Sequence, residues 1–194
     1  MTTTTYHPGD PTRPDPTHRL FFALWPTEPM QAALADATRA VVATCDGAPV
    51  PTHNFHFTLA FLGSIPASRT RELGDIAARV AAATRGALAI TLDHIDYWRK
   101  PQILCATATT EPHAAATLAE HLKRALTENG FAPDLKPFRA HATLARKVRR
   151  VTRERHMAPV HWGFKDFRLI ESRTAPSGSL YSSREIFVLD EMLR

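Results

Sequence analysis

Residues 56–59 read HFTL and residues 141–144 read HATL. Each tetrapeptide lies in an apolar run, so each is a candidate strand. The fold depends on whether the pair is chance or duplication, and the flanking residues decide it. Thr-Glu-Pro stands at 27–29 and again at 110–112. From Thr27 to His56 is 29 residues, and from Thr110 to His141 is 31. A strand-like run precedes each Thr-Glu-Pro: RLFFALW at 19–25 and QILCATAT at 102–109. Thr, Glu and Pro suit a helix start, where an acid and a missing N–H are both tolerated. Met30, Leu34, Ala37 and Val41 then recur at helical spacing, as do Leu118, Leu122 and Leu126 in the second copy. Gly47, Pro49 and Pro51 close the first helix, and Asn129-Gly130 closes the second. The chain therefore repeats strand, capped helix, His-x-Thr strand with a period of about 84 residues, too long and in too few copies for a solenoid. Two such units predict two lobes facing each other across a pseudo-twofold axis.

The remaining segments fit around this repeat. Strands are expected over 54–62, 87–98 and 138–146, and a helix over 67–83 with Leu73, Ile76, Ala77 and Val80 on one face. Two further β-like runs, 164–173 and 180–190, are joined by the turn TAPSGS. The first 17 residues carry Pro8, Pro11, Pro14 and Pro16 and almost no apolar side chains, so they are expected to form a disordered tail. Residues 18–194 are expected to form one bilobed domain.

Composition narrows the function classes. A hydrophobic share of 44% supports a sizeable core, and no apolar run is long enough to span a bilayer. The N-terminus has no apolar segment of the kind a secretory signal needs. Cys45 and Cys105 have no metal-type spacing and read as reduced thiols of a cytoplasmic protein. The formal net charge is +5, and the segment RKVRRVTRER at 146–155 alone carries a balance of +5. So concentrated a basic patch points to a polyanion such as RNA, or to a solvated charged face.

In a strand alternate side chains share a face, so His56 and Thr58 point one way, as do His141 and Thr143. Phe55, Phe57, Leu59 and Phe61 are expected on the opposite face of the first strand, with Phe138, Ala140, Ala142 and Leu144 behind the second. Closing the lobes brings two imidazoles and two hydroxyls into one cleft. One neutral imidazole can take a proton from water while a protonated one gives a proton to a departing alkoxide. Threonine hydroxyls can donate to the non-bridging oxygens of a phosphoryl group. Arg146 could strengthen that clamp, but strict alternation places it on the face opposite His141. His53 and His56 form an HxxH, yet on a strand they point apart and no third ligand stands at usual spacing, so no metal is expected. Aromatic faces that could stack bases are Phe55, Tyr97, Trp98, Phe138, Trp162 and Tyr181, most of them expected to pack in the core, with Tyr97 and Trp98 beside Arg99 and Lys100 the first to test.

The pair HFTLAFLG (56–63) and HATLAR (141–146) resembles the signature motifs of the two-histidine phosphoesterases. More closely, the chain is similar to the bacterial and archaeal RNA 2',3'-cyclic phosphodiesterases, also called 2'-5' RNA ligases. RLFFALWP, FRAHATLAR and FRLIESRTAPSGSLYSSREIFVL carry the likeness over roughly residues 19 to 192. The resemblance implies an α+β fold, two pseudo-symmetric lobes of antiparallel sheet flanked by helices, with a central cleft. It implies His56 as proton donor to the leaving 3'-oxygen, His141 as proton acceptor from water, and Thr58, Thr143 and Arg146 as phosphate ligands. The implied reaction needs no metal or cofactor and turns an RNA 2',3'-cyclic phosphate end into a 2'-phosphomonoester, with 2'-5' ligation as the reverse; a monomer is expected. Two other readings stay open from the sequence: an RNA-binding module with vestigial histidines, and a phosphodiesterase for a small cyclic nucleotide such as ADP-ribose cyclic phosphate. The family pattern has no need of the Pro-rich tail, and Phe61 stands where the second lobe has Arg146.

Overall fold

The computed structural model describes residues 14–151, 156–175 and 178–189. Its elements in chain order are β1 (Thr17–Leu24), α1 (Glu28–Thr44), β2 (Ala48–Pro49), β3 (Phe57–Pro66), α2 (Thr70–Ala83), β4 (Leu88–Trp98) and β5 (Ile103–Thr107). Then come α3 (His113–Glu128), β6 (His141–Arg146), β7 (His156–Phe164), β8 (Asp166–Ala175) and β9 (Gly178–Val188). The strands form two antiparallel sheets, ordered β3-β1-β8-β9 and β2-β6-β5-β4-β7. The α+β class and the two-sheet architecture expected from the sequence are what the chain adopts.

The duplicated unit is visible in the pairing. β1 and β3 are antiparallel neighbours across α1, and β5 and β6 are antiparallel neighbours across α3. Helices do not simply cover their own lobe. α1 leans on β7 and β6 of the second sheet, while α3 touches β3 of the first and β4 of the second. The core between the layers is continuous, running from Leu20, Phe22 and Leu24 through Leu34, Leu73, Leu122 and Leu144 to Trp162 and Phe167. Trp162 is buried, packs against Phe57 and Phe164, and donates its indole N–H to the Met30 carbonyl at 3.0 Å, pinning α1 to β7.

Several boundaries differ from the sequence-based expectation. β3 starts at Phe57, because a turn of 3-10 helix over Thr52–Asn54 occupies the residues before it, and β6 starts only at His141. Thr27 does stand at the N-cap of α1 but makes no side-chain cap bond; α3 begins at His113 with Pro112 at its cap, so Thr110 caps nothing. α3 ends as expected, with Gly130 at φ 72°, the left-handed conformation that glycine adopts without steric cost. β7 was not anticipated. It carries Pro159 and Gly163, which weaken a strand signal, and it lies on a sheet edge, where a proline costs no ladder bond. Of the expected tail, residues 1–13 lie outside the described residues, while Thr17 already pairs with Pro66 and the Pro16 carbonyl accepts from Ala67 N–H at 2.8 Å. The basic segment is described only as far as residue 151. There the Asp46 carboxylate accepts the Arg149 and Arg150 N–H groups.

Replacing Trp162 by Phe removes the indole N–H bond to the Met30 carbonyl and leaves a void where the larger ring packed. Urea denaturation should show a loss of about 1–3 kcal/mol with little change in secondary structure.

Candidate active site in the cleft

The two His-x-Thr segments share one local device. In the β1–β3 ladder Phe22 faces Ala60 and Ala23 faces Thr58, so Leu59 is an extra residue. In the β5–β6 ladder Leu104 faces Ala145 and Cys105 faces Thr143, so Leu144 is an extra residue. Both are β-bulges, and each sits directly after the threonine. Leu59 and Ala60 are both buried, as are Leu144 and Ala145, so two successive side chains turn to the core. The residue after them returns to the threonine's face. That corrects two expectations. Arg146 lines the cleft with His56 and Thr143, and Phe61 lines it with Thr58 instead of entering the opposite layer.

Both imidazoles are anchored alike. His56 Nδ1 donates to the Asn54 carbonyl at 2.7 Å, and His141 Nδ1 donates to the Arg139 carbonyl at 2.8 Å. A carbonyl only accepts, so each Nδ1 carries a proton and each Nε2 of the neutral ring keeps a free lone pair. The segment before His56 is itself held from two sides. The buried Gln31 amide donates to the carbonyls of His53 (3.2 Å) and Phe55 (3.1 Å), and Asn54 donates to the Ser179 carbonyl at 3.2 Å.

Aromatic rings fix the imidazole planes. Trp25 stacks on His56 with centroids 5.1 Å apart and planes 5° from parallel, while Phe21 and Tyr181 close on it at 5.2 and 5.3 Å. Trp98 lies 4.5 Å from the His141 ring and carries the Arg139 guanidinium on its face. Trp98 and Phe138 thus line the site as expected, in a cavity of about 410 Å³ shared with His141 and Thr58. Tyr97 does not. Its ring packs on the core and its hydroxyl donates to the Val148 carbonyl at 2.9 Å, because successive residues of β4 face opposite sides and Trp98 takes the cleft side. Tyr181, one of the aromatic candidates from the sequence, does reach the site, while Trp25 was missed; the sequence offered only its aromatic character, and its position beside His56 depends on tertiary pairing.

The lobes meet in the cleft. One cavity is lined by Thr58 of the first lobe and His141 of the second; another, of about 330 Å³, by His56 of the first and Thr143 and Arg146 of the second. Burial pushes the His56 pKa down to about 4 against the favourable Asn54 bond, and the charges of His141 and Arg146 lower it further. His141 is shifted down for the same first reason, with Arg139 and Arg146 adding to it. Both rings are therefore neutral near pH 7 in the empty cleft. Among the described residues no three His, Cys, Asp or Glu side chains gather as metal ligands would, and no helix is long and apolar enough to cross a membrane.

Residues 24–105 match the family model for the LigT-like phosphoesterases. The chain is 32% identical to the RNA 2',3'-cyclic phosphodiesterase of Thermus thermophilus over 184 residues, 88% of this chain and 90% of that protein. It belongs to the LigT-like phosphoesterase family. The Escherichia coli RNA 2',3'-cyclic phosphodiesterase is 30% identical over 100 residues, 52% of this chain and 55% of that one. Among solved structures, Escherichia coli LigT complexed with 3'-AMP superposes with a TM-score of 0.80 at 25% identity, covering 89% of this chain and 98% of that chain. TT0787 of Thermus thermophilus gives 0.77 at 28% identity, covering 90% and 100%.

Acid sensitivity follows from these environments. His56 titrates near 4 in the folded protein and near 6.5 when unfolded, so the unfolded chain binds the extra proton first. Stability should therefore fall as pH drops from 6.5 toward 4. A second loss comes from Glu171. Burial raises its carboxyl, but hydrogen bonds from Arg173 and His18 and the charges of Arg184 and Arg173 outweigh that and hold it down at about 2. Its contribution should be lost between about 4.5 and 2. Following the His56 ring proton by NMR gives the titration directly, and His56→Asn should flatten the stability curve only in the upper window.

Proposed function

We propose that the protein hydrolyses RNA 2',3'-cyclic phosphate ends to 2'-phosphomonoesters by general acid–base catalysis from two histidines. One observation carries this reading: two imidazoles from duplicated strands present unprotonated Nε2 atoms, fixed by equivalent backbone bonds, to one cleft that also holds two threonines and an arginine. Membership of the LigT-like phosphoesterases, and the name of the Thermus thermophilus relative, support it.

Water attacks the cyclic phosphorus while His141 Nε2 takes its proton. The phosphorus–O3' bond breaks, and Nε2 of protonated His56 gives its proton to the departing O3'. The phosphate stays on O2', and the two histidines have exchanged protonation states. Which histidine donates is assigned by the family resemblance, since the two anchors are equivalent. Thr58, Thr143 and Arg146 donate to the non-bridging oxygens as charge gathers on them. Trp98 and Phe138 offer faces for a nucleobase.

The depressed imidazole pKa values give the substrate a part in the chemistry. A bound phosphate anion favours the imidazolium, so it raises the value of the ring that must act as acid. The pH optimum of kcat/KM, which reports the free enzyme, should lie below that of kcat, which reports the complex. His56→Ala and His141→Ala should each lower kcat/KM by about 10² to 10⁴ without unfolding the chain. The assay is hydrolysis of a nucleoside 2',3'-cyclic phosphate with the product phosphate located by phosphorus NMR, and turnover should survive EDTA. A double variant retaining activity, or a 3'-phosphate product, would overturn the assignment.

A further inference from the structure

The repeat is broken at one point that matters chemically. The residue after the bulge is Arg146 in the second lobe and Phe61 in the first. The first lobe nevertheless has a cation there. Arg19 reaches over from the neighbouring strand β1, and its guanidinium carbon lies 4.6 Å from the centroid of the Phe61 ring. Other arginines on the same sheet have carboxylate partners: Arg173 and Arg184 share Glu171, and Arg168 pairs with Asp166. Arg19 has no carboxylate partner among the described residues. Phe61 seats its guanidinium by a cation–π contact, which does not consume the N–H donors that an oxygen anion would use.

The surroundings describe that anion. Arg19 lines a cavity of about 510 Å³ that begins at His56, Thr58 and Arg146 and continues along the sheet past the hydroxyls of Ser172, Thr174 and Ser179. The opposite cavity, around Trp98, Phe138 and Pro137, offers ring faces and apolar carbon, with Lys123, Lys136, Arg139 and Asp134 also on its lining. A nucleotide end placed between them finds stacking surface on one side and hydroxyl and guanidinium donors on the other. Arg146 lowers the pKa of both imidazoles through its charge, while Arg19 lowers neither. Arg146 stands on a His-x-Thr strand itself, whereas Arg19 stands on the neighbouring strand β1, beside the hydroxyls of the polar wall.

We propose that Arg19 holds the phosphodiester immediately 5' of the nucleotide being opened, so that the site favours the end of an RNA chain over a free cyclic mononucleotide. Ser172 and Thr174 add neutral donors to the same phosphate. This rests on the cyclic phosphodiesterase reading given above.

The test compares a nucleoside 2',3'-cyclic phosphate, a trinucleotide with a 2',3'-cyclic end, and that trinucleotide with an uncharged methylphosphonate at its last internucleotide linkage. For the wild-type chain, kcat/KM on the trinucleotide should exceed that on the methylphosphonate by about tenfold. In R19Q this preference should vanish, with hydrolysis of the nucleoside cyclic phosphate within about twofold of wild type, the span of an ordinary surface substitution. The salt dependence on the trinucleotide should also weaken by about 0.7 in logarithmic slope, the value for one phosphate contact on a single strand. Equal losses on all three substrates, or an unchanged preference in R19Q, overturn the assignment while leaving the proposed reaction intact. A wild-type chain that opens no cyclic phosphate overturns the reaction and the subsite together.

Discussion

One extra residue directly after each of two threonines shapes the cleft. In a regular strand the residue three beyond a threonine faces the other way. The bulges at Leu59 and Leu144 cancel that alternation, so Thr143 and Arg146 present donors to the same space, and Thr58 and Phe61 do likewise. The core enforces the arrangement. Leu144 and Ala145 are both buried, and sliding the register by one would put a leucine into the cleft and the Arg146 guanidinium into the core, at a cost of several kcal/mol. Hydrophobic burial thus decides where the Arg146 guanidinium can be, without any contact between the two.

The same economy governs the imidazoles. Each is oriented by a carbonyl two residues back in its own chain, a bond that is available wherever the backbone turns just before the strand. What differs is the support. On the His56 side Gln31 and Asn54 tie that turn to α1 and to β9, with three rings around the imidazole; on the His141 side one indole does most of the packing. The deeper enclosure of His56 explains why its pKa falls as far as about 4. A ring so reluctant to charge in the empty site releases its proton readily once charged, which suits a donor, provided that the anion bringing the proton into balance is the substrate itself.

Much of this was legible in the residues. The repeat of Thr-Glu-Pro and His-x-Thr predicts two equivalent units, and the structure pairs β1 with β3 and β5 with β6 accordingly. Alternation correctly puts His56 with Thr58 and His141 with Thr143. It fails at Arg146 and Phe61 because a bulge has no residue type of its own; its trace in the sequence is the Leu-Ala pair, two adjacent apolar residues where alternation calls for one. Tyr97 and Trp98 show the same limit in reverse. The sequence offers both rings as neighbours of Arg99, and only the strand's pleat selects Trp98 for the cleft and sends Tyr97 to Val148. Trp25 and Tyr181 reach His56 through tertiary pairing alone.

Duplication gives two similar halves, but a substrate with a direction needs the halves to differ. Here the difference is concentrated at one equivalent position. Arg146 acts from within its own strand, close enough for its charge to bear on both imidazoles. Phe61 supplies no charge and instead seats one from the adjacent strand, displaced along the first sheet. The two lobes thereby offer their cations from different places, one within a His-x-Thr strand and one on the strand beside it. A polar wall that continues from Arg19 through Ser172 and Thr174, set against an aromatic wall at Trp98 and Phe138, gives the cleft a polarity that strict twofold symmetry would forbid. A cyclic phosphate has two ester oxygens of nearly equal reactivity, and which of them leaves is decided by the histidine each one faces. Holding the rest of the nucleotide in a single orientation is what selects one of them, and the Phe61–Arg146 asymmetry is the feature of this fold able to impose it.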